Sequence, residues 1–189
     1  MKNPKRVLIV IDLQNDFLPG GALGVTEGDQ VIEVANTLIH SGKFFEIIAT
    51  QDWHPPNHES FLNIWPVHCV QESFGAEFAA NLDVSKFNRV FRKGQDVQID
   101  SYSGFFDNAH QKATGLGDYL KGLEVLNGPL EIHILGLATD YCVKFTALDS
   151  RLLGFNTFLI EDGCRAVNLK AGDGAAAIEE MKRAGVRIV

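Results

Sequence analysis

Cysteine is scarce: three residues in 189, an odd number, which argues against a disulfide framework and suits a reducing compartment, with the cytosol as the expected location. Long apolar runs are missing as well. Val7–Ile11 and its like are far too short to span a bilayer, so no membrane partner is expected. There is no Lys/Arg cluster, and the net charge of −7 argues against nucleic acid. The basic start, Met1–Arg6, has the charge of a signal n-region, but Asp12 interrupts the apolar run that follows it. Internal repeats, low-complexity segments and interdomain linkers are absent too. The length therefore suits one domain over residues 1–189, with a sizeable core. What remains is 46% hydrophobic and 22% charged, ordinary for a globular protein.

The chain is organised around Glu131–Gly154. Alternating β-favouring residues end at Leu135 and break at Gly136. From Asp140 onward Val143, Ala147, Leu148 and Leu152 recur at helical spacing, with Thr139 and Asp140 as N-cap types and Gly154 as a C′ stop. The segment reads as strand, tight turn and helix, and it puts Cys142 in the first helical turn. A helix N-terminus there stabilises a thiolate and offers N–H groups to an oxyanion. The bland alternative is that Cys142 is a small buried hydrophobe.

Around this unit, strands are expected at Val7–Ile11, Phe44–Ala49, Arg89–Phe91, Asn156–Ile160 and Val186–Val189. Helices are expected at Asp29–Ile39, Gly117–Leu126 and Gly172–Ala184, with residues 55–85 irregular. Alternating strands and helices imply right-handed crossovers and a doubly wound, three-layer α/β fold with a mainly parallel six-stranded sheet. Sites in such sheets form at the carboxyl ends of strands. Asp12, Asp52 with His54, Lys93 and Cys142 each follow a different strand, as members of one site would.

D-W-H at 52–54 lets two ligand types face one metal ion, and His58 and His68 are candidates to complete it, His68 the better of the two. His58 reads as an outer or surface group, and Cys69 stays open as a ligand. His40, His110 and His133 have no ligand partners nearby. Asp12 alone would be a turn residue and Lys93 alone a solvated charge. With a cysteine they form a working set: the carboxylate takes the thiol proton, the ammonium keeps the carboxylate ionised, and the thiolate attacks. Backbone N–H groups between Gly136 and Cys142 are available to an oxyanion. Loop aromatics Phe17, Trp65, Tyr102 and Phe105 suit a flat ring substrate.

V-L-I-V-I-D-L-Q-N-D-F, T-Q-D-W-H, W-P-V-H-C-V, F-R-K-G, D-S-Y-S-G-F-F and G-L-A-T-D-Y-C-V together resemble the nicotinamidases (pyrazinamidases) among the isochorismatase-like cysteine hydrolases, from about Arg6 to Val189. The resemblance implies Asp12, Lys93 and Cys142 as catalytic triad, and Asp52, His54 and His68 as metal ligands. It implies an oxyanion hole at Ala138 and Cys142 and a cis peptide at Leu137–Ala138; the loop aromatics Phe17, Trp65 and Tyr102 are the candidates to bind the substrate. It further implies one divalent ion, zinc ahead of iron or manganese, and hydrolysis of nicotinamide to nicotinate and ammonia in NAD salvage, with pyrazinamide converted to pyrazinoate. A homo-oligomer is left open. Two alternatives compete: an amidase of the same superfamily acting on a carbamoyl or ureido substrate, and a non-catalytic module with a structural metal site. Isochorismatases themselves commonly lack the cysteine, which argues against that branch.

Overall fold

The computed structural model describes residues 3–189; Met1 and Lys2, within the basic start noted above, lie outside them. Six strands form one sheet: β1 (Lys5–Ile11), β2 (Glu46–Asp52), β3 (Arg89–Lys93), β4 (Leu130–Leu137), β5 (Asn156–Arg165) and β6 (Arg187–Ile188). Their order is β3-β2-β1-β4-β5-β6, and every pairing is parallel. Val7 to Ile11 are wholly buried, which is why β1 reads as an unbroken apolar run rather than an alternating one. Helices α1 (Gln30–Ile39), α2 (Ser60–Asn63), α3 (Leu116–Asn127), α4 (Lys144–Leu152) and α5 (Asp173–Arg183) complete the chain. Right-handed crossovers put α1 on one face and α3, α4 and α5 on the other, since the strand order runs outward in opposite directions from β1 and from β4. The expected α/β architecture is therefore present. No helix among the described residues is long and apolar enough to cross a membrane.

Several boundaries differ from expectation, for physical reasons. Strands β2 and β3 run on through Gln51–Asp52 and Arg92–Lys93, polar residues that look like loop until their partners on the neighbouring strand are known. Strand β4 does not break at Gly136. It passes straight through with a register shift between Ile134 and Gly136, and a Cβ at Gly136 would stand 2.2 Å from the Ile11 carbonyl oxygen. That glycine marks a close approach of two backbones rather than a strand end. Thr139 and Asp140 do not cap a helix. A π-helical turn, Thr139–Val143, runs directly into α4, and the Asp140 carboxylate instead accepts the N–H groups of Val167 (2.9 Å) and Asn168 (2.8 Å). Leu152, expected with the apolar stripe of this helix, is 74% exposed where the chain turns away toward Gly154.

Candidate active site

The strand order reverses between β1 and β4, and the reactive residues gather at the carboxyl ends beside that switch point. Asp12 follows the last paired residue of β1 and has a left-handed φ of 47°, which turns the chain out of the sheet. Its carboxylate is wholly buried. Oδ1 accepts the Thr50 hydroxyl at 2.6 Å, and Oδ2 lies 2.9 Å from the Lys93 ammonium. Lys93 closes β3 and is itself buried. Its Nζ donates to Asp52 Oδ1 (2.6 Å), the Ser101 carbonyl (3.0 Å) and Cys142 Sγ (3.3 Å). Thiol, carboxylate and ammonium from three separate strand ends thus meet around one nitrogen.

The electrostatics follow from the geometry. Burial raises the Asp12 carboxyl above its ordinary value and Lys93 opposes the rise. Burial also pushes the Cys142 thiol well up, with Lys93 pulling against it and the two carboxylates adding to it. Burial thus favours the thiol form of Cys142 over the thiolate that a helix N-terminus suggested. Burial would lower the Lys93 ammonium, but Asp12 and Asp52 outweigh it and hold its pKa well above the usual lysine value. That charge is permanent at working pH.

Asp52 has two jobs. While Oδ1 accepts from Lys93, Oδ2 faces His54 Nε2 at 3.4 Å and His68 Nε2 at 3.9 Å. Burial would raise this carboxyl, yet Lys93, His54 and His68 together keep it below the usual carboxylate range. The imidazole tautomers are fixed from outside. His54 Nδ1 donates to the Gly94 carbonyl (2.9 Å) and His68 Nδ1 to the Pro66 carbonyl (2.8 Å). In the neutral rings both Nε2 lone pairs then face a carboxylate oxygen, an arrangement that calls for a cation between them. His54 Nε2 is buried with no hydrogen-bond partner among the described residues, which fits an ion drawn to Asp52, His54 and His68. The glycine before this loop serves the same end. A Cβ at Gly94 (φ 66°) would stand 2.4 Å from the His54 ring.

His58, read from the sequence as an outer or surface group, is wholly buried, 4.2 Å from His54 between ring centroids, with Nδ1 on the Ser60 hydroxyl. It groups with His54 and Asp100 rather than with the Asp52 set. Cys69 is buried and belongs to none of the grouped donor sets among the described residues, and its thiol donates to the Gly75 carbonyl at 3.9 Å. His40 and His110 pair with Asp83 and Asp149 near the surface, and His133 stacks on Phe158. Phe105 is core, 1% exposed, and not a loop aromatic over the site.

A narrow cavity leads to Cys142 and Asp52. Phe17, Trp65 and Tyr102 line it, with Tyr141, Val167, Leu23 and Asp100 beside them. Trp65 Nε1 donates to the Tyr102 hydroxyl at 3.1 Å, tying two loops across the opening. The peptide Leu137–Ala138 is cis, and Ala138 also lines the cavity. Thr50, Asp100 and Tyr141 went unassigned by sequence reasoning, although all three lie within motifs it had picked out.

A doubly wound parallel sheet with thiol, carboxylate and ammonium in contact at its switch point defines the class, a hydrolytic enzyme. The chain belongs to the isochorismatase family, whose domain profile matches residues 6–189. It is 44% identical to a nicotinamidase of Escherichia coli (strain K12), over 98% of this chain and 94% of that protein. Among solved structures it is similar to an L. infantum protein in complex with nicotinate, at TM-score 0.90 and 40% identity, covering 100% of this chain and 96% of that one. A pyrazinamidase of Pyrococcus horikoshii in complex with zinc matches at TM-score 0.84 and 41% identity, covering 98% of this chain and 99% of the other.

Proposed function

We propose that the chain is an amidohydrolase converting nicotinamide to nicotinate and ammonia, and pyrazinamide to pyrazinoate, in NAD salvage. One observation carries the reading: a single small cavity reaches both the Lys93–Asp12–Cys142 cluster and the Asp52–His54–His68 donor set. The relatives' activities and the nicotinate-bound neighbour support the substrate. Asp52, His54 and His68 would hold one divalent ion, zinc ahead of iron or manganese, on the strength of two imidazoles and a carboxylate and of the zinc-bound neighbour. When bound, the ion supplies a Lewis-acid position for the ring nitrogen of the substrate.

In this reading, Asp12 takes the proton of Cys142 as Sγ bonds to the carboxamide carbon. The raised carboxyl of Asp12 brings its proton affinity closer to that of a buried thiol. The peptide N–H groups of Ala138 and Cys142 receive the oxyanion. Asp12 then gives its proton to the amide nitrogen, the C–N bond breaks and ammonia departs, leaving a thioester on Cys142. Water loses a proton to Asp12 and adds to the thioester carbon. The C–S bond breaks, and the sulfur regains the proton from Asp12. Lys93 stays charged throughout and holds Asp12 and Cys142 in one geometry. Phe17, Trp65 and Tyr102 sandwich the ring.

The single sheet supports one domain over residues 1–189, and three free cysteines support a cytosolic location. Ammonia release from nicotinamide by the purified protein is the test, with Cys142→Ala as comparator. Turnover is expected in the parent and none in the variant, whose fold and nicotinamide binding persist because truncating a thiol removes little packing. Substantial activity in Cys142→Ala would mean the nucleophile is another group. Full amidase activity of a metal-free preparation on a carbamoyl or ureido substrate would point to the sister amidases instead.

A further inference from the structure

The pairing of β1 with β2 ends at Ile11 and Thr50, because Asp12 turns the chain away. Asp52, two residues further along β2, therefore has no β1 backbone to pair with on that side. Gln14 fills the gap with its side chain. Its Nε2 donates to the Asp52 carbonyl (2.8 Å) and to the Ala76 carbonyl (2.9 Å), while its Oε1 accepts the Asp52 N–H (2.8 Å). The side-chain amide thus supplies both halves of a missing ladder rung, donor and acceptor, to one residue. Gln14 is wholly buried and is not itself among the residues that line the cavity.

We infer that Gln14 is a positioning residue: it fixes the Asp52 backbone so that one carboxylate reaches Lys93 with Oδ1 and the His54–His68 pair with Oδ2 at the same time. The two oxygens are engaged by different partners, so a small rotation about the Asp52 backbone spoils one contact or the other. No other side chain among the described residues donates to, or accepts from, the Asp52 peptide. The inference rests on the metal reading above.

An internal comparison separates positioning from mere support. Gln51 Nε2 donates to the same Ala76 carbonyl, at 2.9 Å, without bonding the Asp52 peptide. Gln51→Leu therefore removes a neighbouring buried bond and leaves the rung intact. Zinc affinity is measured by competition with a chromogenic chelator, beside kcat and KM for nicotinamide, in the parent, Gln14→Leu, the milder Gln14→Asn and Gln51→Leu. Both Gln14 variants are expected to bind zinc about 10–100-fold more weakly, as disturbed outer-sphere partners of metal ligands do. Their kcat should fall even at saturating zinc, while Gln51→Leu loses thermal stability but keeps parental zinc affinity. If Gln14→Leu does not fold, Gln14→Asn carries the test, since it keeps a polar amide but cannot reach both Asp52 groups. Parental zinc affinity in a folded Gln14 variant, or an equal loss in Gln51→Leu, would overturn the inference. A parent protein that binds no zinc would instead remove the metal reading on which it stands.

Discussion

Replacing Lys93 with methionine removes the one buried lysine or arginine among the described residues, and the structure says how large the effect should be. The ammonium sits 2.9 Å from Asp12 and 2.6 Å from Asp52. At an effective dielectric of about 20, each contact is worth about 6 kcal/mol of attraction. The two carboxylates offer oxygens within 4.8 Å of each other, so without the lysine they repel by about 3 kcal/mol on the same basis. Two buried anions do not persist side by side; Asp12, already raised by burial, should take up a proton. The net loss of stability should then be about 3–5 kcal/mol, the usual result of stripping one partner from a buried ionic pair. The pH dependence has a definite sign. A carboxyl with a raised folded-state pKa favours folding at low pH and loses that contribution as pH rises from about 4 through the folded value. The melting gap between Lys93→Met and parent should therefore widen from pH 5 to pH 8. Catalysis suffers separately: a protonated Asp12 cannot accept the thiol proton, and kcat should drop by about 10²–10⁴, with any residual acid limb moved to higher pH. Lys93→Arg should rescue poorly, because a planar guanidinium cannot replace a compact ammonium packed against four partners. Thermal melts and kcat–pH profiles of the three proteins decide it. A Lys93→Met profile matching the parent in height and shape would refute the reasoning.

Two further perturbations address the metal set. Exhaustive dialysis against a chelator should abolish turnover and, for zinc held at about 100 times its Kd beforehand, lower stability by about 3 kcal/mol. Stepwise return of zinc, iron or manganese would then rank the ions, and an apoprotein with an unchanged melt and full turnover would dismiss the site. Gly94→Ala should cost about 1–3 kcal/mol, because alanine is strained at φ 66° and its Cβ would crowd the His54 ring. Zinc affinity should fall with it, since the Gly94 carbonyl sets the His54 tautomer; a melt and chelator competition equal to the parent's would show that the loop simply yields.

Much of this was legible from local pattern. The apolar run Val7–Ile11 announces a strand buried on both faces, and four strands ending in reactive residue types announce a shared edge. What local pattern could not convey is which polar residues are interior. Lys93, 41 positions from Asp52, looks on its own like a solvated charge until β2 and β3 lie in register. His58 shows the same limit: flanking prolines and asparagine leave both an outer group and a surface position open, and only the fold seals it against His54. Gly136 and Asp140 mislead differently. Their residue types are those of a strand break and a helix cap, but a backbone passing within contact range and a distant pair of N–H groups claim them first.

The left-handed backbone at Asp12 narrows what evolution could have placed there. As a proton acceptor, glutamate would serve about as well as aspartate, and many hydrolases use either. At φ 47°, however, the short carboxamide and carboxylate side chains are the non-glycine types most at home. A substitution to glutamate would meet a conformational penalty and an overlong reach at once, whereas Asp12→Asn keeps the backbone shape and removes the charge that faces Lys93. Backbone shape thus restricts the alphabet at this position before any selection for catalysis acts.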